Sequence, residues 1–219
     1  MAIQKAESAQ FVSELLVLFQ RYQEMLEKSG KTVRRSKRPQ TEQMFADMDV
    51  SRQNYLRERL TSEIAIMQEL ATARESATDS TRQLWRFLKL NNLTPCSDLF
   101  DKVHENDMIQ VYSPEQLLLF ASTNLYDYVS FTMEQLYTQT WYESTKRDPE
   151  IEQLLAKAAM KLFSGEIKET VSPGAPVHQI EEVNTEKQIK SQMNIKWISP
   201  VYSGHRVVAM CAVVECVTL

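Results

Sequence analysis

Between Ser8 and Lys28 no proline or glycine interrupts the chain, and apolar residues fall at Val12, Leu15, Phe19, Tyr22 and Leu26 in alternating steps of three and four. That spacing predicts an amphipathic helix over about 8–28. Leu16, Leu18 and Met25 widen the apolar stripe, so the helix is expected to meet more than one neighbour. A second pattern begins after Thr41, a candidate N-cap, and runs free of proline and glycine to Pro95. Leu56, Leu60, Met67, Leu70, Ala77, Leu84 and Leu88 share its register, which Glu63, Arg74 and Thr81 interrupt, while 78–81 weakens helix propensity. One or two helices are predicted over about 42–90. A single helix of that span is on the order of 60–75 Å long, more than one small domain covers. A second chain is the expected cover. The predicted homodimer seam comprises Val12, Leu15, Phe19, Tyr22, Leu26, Leu56, Leu60, Met67 and Leu70. It closes either as antiparallel hairpins in a four-helix bundle or as a parallel coiled coil.

Beyond Asn91-Asn92 and Pro95 the pattern changes, which places a boundary near residue 95 between a helical dimerisation region, 1–95, and a second unit, 96–219. Residues 97–105 predict one short helix. MIQVYS (108–113) and QLLLFA (116–121) flank Pro114-Glu115 as a hairpin, followed by short helical pieces and a longer helix over 148–163 with Pro149 in its first turn. EIKETV after Gly165 and HQIEEV up to Val183 read as strands; the neighbouring acids Glu181 and Glu182 read as solvated surface. The chain then closes in a hairpin over 194–219 that turns at Ser203-Gly204. On its first arm, alternation puts Met193, Ile195, Trp197 and Val201 on one face and Asn194 and Lys196 on the other. The second arm, Val207–Val217, is apolar on both faces until Glu215 and needs cover on both sides.

Composition narrows the chemistry. A net charge of −4, with 43% hydrophobic and 25% charged residues, gives no reason to expect nucleic acid as a partner. One basic loop over 29–40 stands out, with Arg34, Arg35, Lys37 and Arg38 as candidates to touch a phosphate or an acidic partner. Four glycines do not assemble a Gly-rich phosphate loop, and Cys96, Cys211 and Cys216 lack metal-ligand spacing and read as packed thiols. No apolar run approaches the roughly 20 residues of a membrane span and the N-terminus has no signal-peptide core, so a cytoplasmic location is expected. His104, His178 and His205 lie far apart, and 1–95 holds no histidine for phosphotransfer. No catalytic residue, metal or cofactor is predicted.

The stretch from Asp107 to Thr218 resembles a PAS domain. MIQVYSPEQLLLFAS looks like the family's opening strand, turn and strand, and NLYDYVSFTMEQLYTQTWYE is similar to its short-helix segment, with Phe131, Thr132, Glu134, Leu136, Thr140 and Trp141 at matching places. The family's long helix would be 149–163, its third strand would follow Gly165, and its last two would be the closing hairpin. The resemblance implies an α+β fold in which helices precede a five-stranded antiparallel sheet with flanking helices, the free face meeting an N-terminal helix or a second subunit. It also implies a space that could enclose a small molecule, with Phe120, Tyr126, Trp141, Ile195, Trp197 and Met210 as candidate lining residues. The acidic residue that often follows the family's last strand is replaced by Cys216, so output is expected through the dimer and the sheet surface. The functional expectation is a non-catalytic signalling or scaffold protein, coupling a PAS-like sensor or interaction domain to a homodimerisation region and meeting another signalling or scaffold protein. The alternative is the regulatory fragment of a larger signalling enzyme, a kinase or a cyclic-nucleotide synthase.

Overall fold

Asp49 and Asp79 divide what the apolar pattern reads as one long helix. In the computed structural model the Asp49 carboxylate accepts the Arg52 N–H at 2.9 Å and Asp79 accepts the Arg82 N–H at 3.0 Å. Each satisfies an amide donor that a helix leaves free at its start, and Arg74 closes the helix between them in the left-handed conformation, φ 57°. The structure describes residues 2–219; Met1, the side chains of residues 2–9 and the Arg38 side chain lie outside the described residues. The helical half is α1 (Ala2–Lys28), α2 (Arg38–Ala46), α3 (Val50–Ala73) and α4 (Ser80–Leu90). Three helices therefore replace the one or two expected over 42–90. α4 folds back along α3, where Asn91 donates to Ser62 at 3.2 Å and Arg86 pairs with Glu69 at 3.7 Å. Glu14 meets Arg57 at 3.4 Å and Tyr22 meets Glu63, so α1 and α3 run in the same sense instead of forming an antiparallel hairpin.

The remaining chain builds a seven-stranded antiparallel sheet. Its strands are β1 (Thr94–Pro95), β2 (Met108–Tyr112), β3 (Leu118–Ala121), β4 (Thr145–Arg147), β5 (His178–Glu182), β6 (Lys190–Ser203) and β7 (Arg206–Thr218). Their order is β3-β2-β7-β6-β5-β4, with β1 paired to β6. Five strands were expected; the two short ones, β1 and β4, are the additions. α5 (Met133–Thr138), α6 (Trp141–Ser144) and α7 (Pro149–Phe163) lie between β3 and β5 in the chain, and Asp148 caps α7 by accepting the Glu150 N–H at 2.8 Å. Residues 97–105 form turns instead of a helix. EIKETV contributes only a bridge from Val171 to Ile198, so the third long strand is β5.

β7 has the cover its sequence demands. Ala209, Cys211 and Val213 enter the core shared with α1–α4, while Met210, Ala212, Val214 and Cys216 face the other way, toward α7. The first arm of the hairpin departs from simple alternation. A register shift between Ile195 and Trp197 makes Lys196 a bulge, so Trp197 and Val201 turn to the helical side while Met193, Ile195 and Ile198 face α7.

The predicted seam is real, and it is filled from within one chain. Val12, Leu15, Phe19, Tyr22, Leu26, Leu56, Leu60, Met67 and Leu70 are all buried, and they join Ile109, Val111, Phe120 and Val213 of the sheet in one core. The core thus crosses residue 95, and the step from an uncovered seam to a second chain has no open seam to rest on. Among the described residues no helix is long and apolar enough to cross a membrane. Leu15→Ala is expected to cost about 2–5 kcal/mol in urea unfolding. That cost should be the same at every protein concentration, since the seam is filled within one chain; a cost that changes with concentration would show a second chain packing on Leu15.

Candidate ligand cavity and the buried network behind it

Small side chains open a space on the α7 side of the sheet. Ala158 and Ala159 of α7 face Ala212 of β7, and around them lies a cavity of about 110 Å³ walled by Met108, Leu118, Leu136, Leu155, Met193 and Met210 among others. Three of the six predicted lining residues, Trp141, Ile195 and Met210, do line it. Phe120, Tyr126 and Trp197 do not: they belong to the core on the helical side. Phe120 stacks on Phe87 with centroids 4.8 Å apart, Trp197 is turned over by the Lys196 bulge, and Tyr126 packs toward α1 and α3. Alternation fixes parity within a strand, but which parity meets the cavity depends on bulges and pairing that sequence does not display.

The polar groups at this cavity were not anticipated. Trp141 Nε1 donates to Gln116 Oε1 at 2.8 Å, and Gln116 holds its place in a turn with φ 64°. The Arg147 guanidinium lies 4.5 Å from the Trp141 ring centroid and donates from Nη2 to Thr145 Oγ1 at 3.2 Å, leaving its buried Nε without a partner. Burial pulls the Arg147 pKa below its ordinary value, against the charge of Glu152. Gln139 Oε1 is also buried and unpartnered. Burial pushes the Tyr112 phenol up to about 12, so it stays protonated at ordinary pH. Glu182, expected on the surface, is buried as a hub that accepts from Ser130 N at 2.6 Å, from Ser130 Oγ, from Thr185 Oγ1 at 3.0 Å and from Ile189 N at 3.2 Å. Nothing in the sequence pattern singled out Arg147.

Behind α5, on its helical side, sits a buried charged network. Tyr137 donates its hydroxyl to Glu63 Oε2; Arg59 Nε reaches Glu63 Oε1 at 3.3 Å, and the Arg59 guanidinium lies 3.6 Å from the centre of the Tyr137 ring. Tyr22 and Tyr126 complete the cluster. Burial first, and then the Glu63 charge, raise the pKa of Tyr22, Tyr126 and Tyr137 well above the usual phenol value. For Arg59, burial opposes the charge but Tyr137 and Glu63 outweigh it, and its pKa is raised. In the sequence Glu63 was visible as a polar interruption of an apolar register; nothing there named its partners.

The basic loop finds its acidic partner inside the chain. Arg35 Nε donates to Glu134 Oε1 at 2.5 Å and its guanidinium lies 5.2 Å from the Phe19 ring centroid, while the Ser36 N–H reaches Glu134 Oε2 at 2.9 Å. Arg34 bridges Thr132 through the backbone and accepts the Met133 N–H at 2.9 Å; Lys31 pairs with Asp127. Lys37 is exposed, and the side chain of Arg38 lies outside the described residues. His104, His178 and His205 are not brought together, and no group of three or more His, Cys, Asp or Glu able to hold a metal occurs among the described residues. Cys96, Cys211 and Cys216 are free and buried.

An opening hairpin, short helices, one long helix and a closing hairpin thus wrap a single antiparallel sheet around a small cavity. The fold is PAS-like. No family model and no curated protein matches the chain. Solved structures similar to it include the Cycle PAS-B domain of Drosophila melanogaster, at 14% identity over 51% of this chain and 99% of that one, TM-score 0.37. A PAS domain from Desulfitobacterium hafniense is similar at 20% identity over 55% and 100% of the two chains, TM-score 0.33. A sensory box sensor histidine kinase from Vibrio cholerae is similar at 15% identity over 56% and 89%, TM-score 0.33.

Glu63→Ala strands Arg59 as a buried unpaired charge and is expected to cost about 3–5 kcal/mol in urea unfolding. Replacing both partners, Arg59→Met with Glu63→Leu, should recover most of that loss; a double variant no more stable than Glu63→Ala would contradict the pairing.

Proposed function

We propose that the chain is a non-catalytic cytosolic signalling or scaffold protein, in which the PAS-like cavity receives a small molecule and α5 passes its occupancy to the helical layer. The observation that carries this reading is the position of α5 between the two. Gln135 and Leu136 of α5 line the cavity, while Glu134 and Tyr137 of the same helix are held by Arg35 and Glu63 from the other side. The α5 backbone is gripped as well: Arg59 Nη1 donates to Leu136 O at 3.4 Å and Arg52 Nη2 to Thr138 O at 2.6 Å. A shift of Leu136 on filling the cavity therefore reaches α3 through the same helical turn. A closely packed interior has few discrete ways to absorb such a shift.

The helical layer supplies the surface on which a partner protein would read the state of the cavity. A homodimer within this reading uses faces other than the filled seam, whose side chains already pack within one chain.

Occupancy can be tested without knowing the natural ligand. Xenon-129 NMR on the full chain is expected to show a protein-dependent shift, since dry apolar cavities admit xenon. Ala159→Val and Ala212→Val, each of which narrows the cavity, should diminish that shift. A wild-type protein that leaves the xenon resonance unmoved would remove the cavity from the account.

A further inference from the structure

Arg147 is a half-buried cation without a counter-ion, its Nε shut away from solvent. Among the described residues no carboxylate lies within ion-pair distance of it, and its Nε finds no acceptor. Shielding part of a guanidinium from water is unfavourable unless a charge or a set of acceptors replaces the lost solvent. The acidic groups nearby do not replace it. Glu152 and Asp148 are partly or fully exposed and make no ion pair with Arg147, and Glu182 is already engaged by Ser130, Thr185 and Ile189.

The place of Arg147 turns this cost into a clue. Its side chain and Ile180 line the apolar cavity and also an open groove formed with Asp148, Ile151, Val177 and His178, so the guanidinium stands where the cavity meets the outside. Trp141 stacks on it and fixes its orientation. Two more unpartnered polar atoms occur, one in the cavity and one in the groove. Gln139, a cavity residue, makes no side-chain hydrogen bond among the described residues, and a half-turn of its terminal amide exchanges the buried Oε1 for an N–H donor. His178, in the groove, is bonded through Nδ1 to Pro176 O at 2.9 Å, which makes Nε2 an unpaired acceptor in the neutral ring. Burial holds the His178 pKa below its ordinary value, and Lys146, the other cation of the groove, does not line the cavity, so among the described residues Arg147 is the cation that faces both.

Much of the remaining wall is apolar, with Met108, Leu118, Leu136, Leu155, Met193 and Met210, and its carboxylate, Glu182, is already engaged by hydrogen-bond donors. Its volume of about 110 Å³ is less than the ~150 Å³ of an apolar cavity known to admit benzene, which limits the buried tail to a few carbons. We infer that the cavity is a site for a short-chain monocarboxylate, its carboxylate on the Arg147 guanidinium and the Gln139 amide and its alkyl tail among the methionine and leucine side chains. This deepens the proposed small-molecule function and rests on it.

Isothermal titration calorimetry on the full chain with pentanoate and with pentan-1-ol, which share a tail and differ in charge, tests the assignment. Pentanoate is expected to bind the wild type at least tenfold more tightly than pentan-1-ol. Arg147→Gln and Arg147→Met, the second keeping an apolar stem against Trp141, should each remove that advantage while leaving the alcohol within about twofold, in protein shown to be folded by its thermal melt. The inference is overturned if wild type binds acid and alcohol equally, or if either folded variant keeps the preference. Entry of xenon and pentan-1-ol without a carboxylate advantage would overturn the anion assignment and leave the cavity reading standing; exclusion of all three would overturn both.

Discussion

A carboxylate and a guanidinium buried together in the helical layer set the terms for the rest of the molecule. Glu63 and Arg59 sit one turn apart on α3 with almost no exposure, and neither is tolerable there without the other and without further hydrogen bonds. Those further bonds come from α5, through the Tyr137 hydroxyl and the Leu136 carbonyl. The helical layer can thus satisfy its own buried charges only when α5 is docked, which ties the sheet's cavity wall to α3 at a defined register. The Arg35–Glu134 pair and the Thr132 bridge fix the same segment to the loop after α1. Apolar packing alone would hold these layers together with less demand on their relative placement.

The sheet takes its two-sidedness from β7. Its alternation sends Cys211 and Val213 into the helical core and Met210, Ala212 and Val214 toward α7, so one strand carries both cores. Burial raises the Cys211 thiol to about 12, which fits a packed, unreactive side chain. On the cavity side, alanines at 158, 159 and 212 give up volume that larger residues would fill, and the space is bounded on the far side by α5. A destabilising void next to a helix under polar constraint is the arrangement expected of a site where occupancy has consequences.

Much of this was legible in the chain. The α1 seam, the β2–β3 hairpin, α7 with Asp148 and Pro149 at its start, and a last strand needing cover on both faces follow from apolar spacing and capping residues. The long second helix was misread because Asp49 and Asp79 look like ordinary polar positions until their side chains are seen capping new helices. Trp197 was placed on the wrong face because a bulge at Lys196 has no composition signal of its own. The seam's cover was sought in a second chain because nothing in a local pattern reveals that β2, β3 and β7 return to close it. Glu63 shows the same limit: it is visible as a charge in an apolar register, but its meaning depends on a partner far along the chain, Tyr137.

The central claim is that α5 couples the cavity to the helical layer, and amide hydrogen exchange with and without saturating pentan-1-ol tests it most directly. The account predicts altered protection in α3 around Arg59 to Met67, and in α1 around Phe19 to Leu26, besides the cavity walls, with the α1 and α3 changes lost in Tyr137→Phe while those at α7 persist. Changes confined to α5, α7 and the sheet, or α3 changes that survive in Tyr137→Phe, would contradict it.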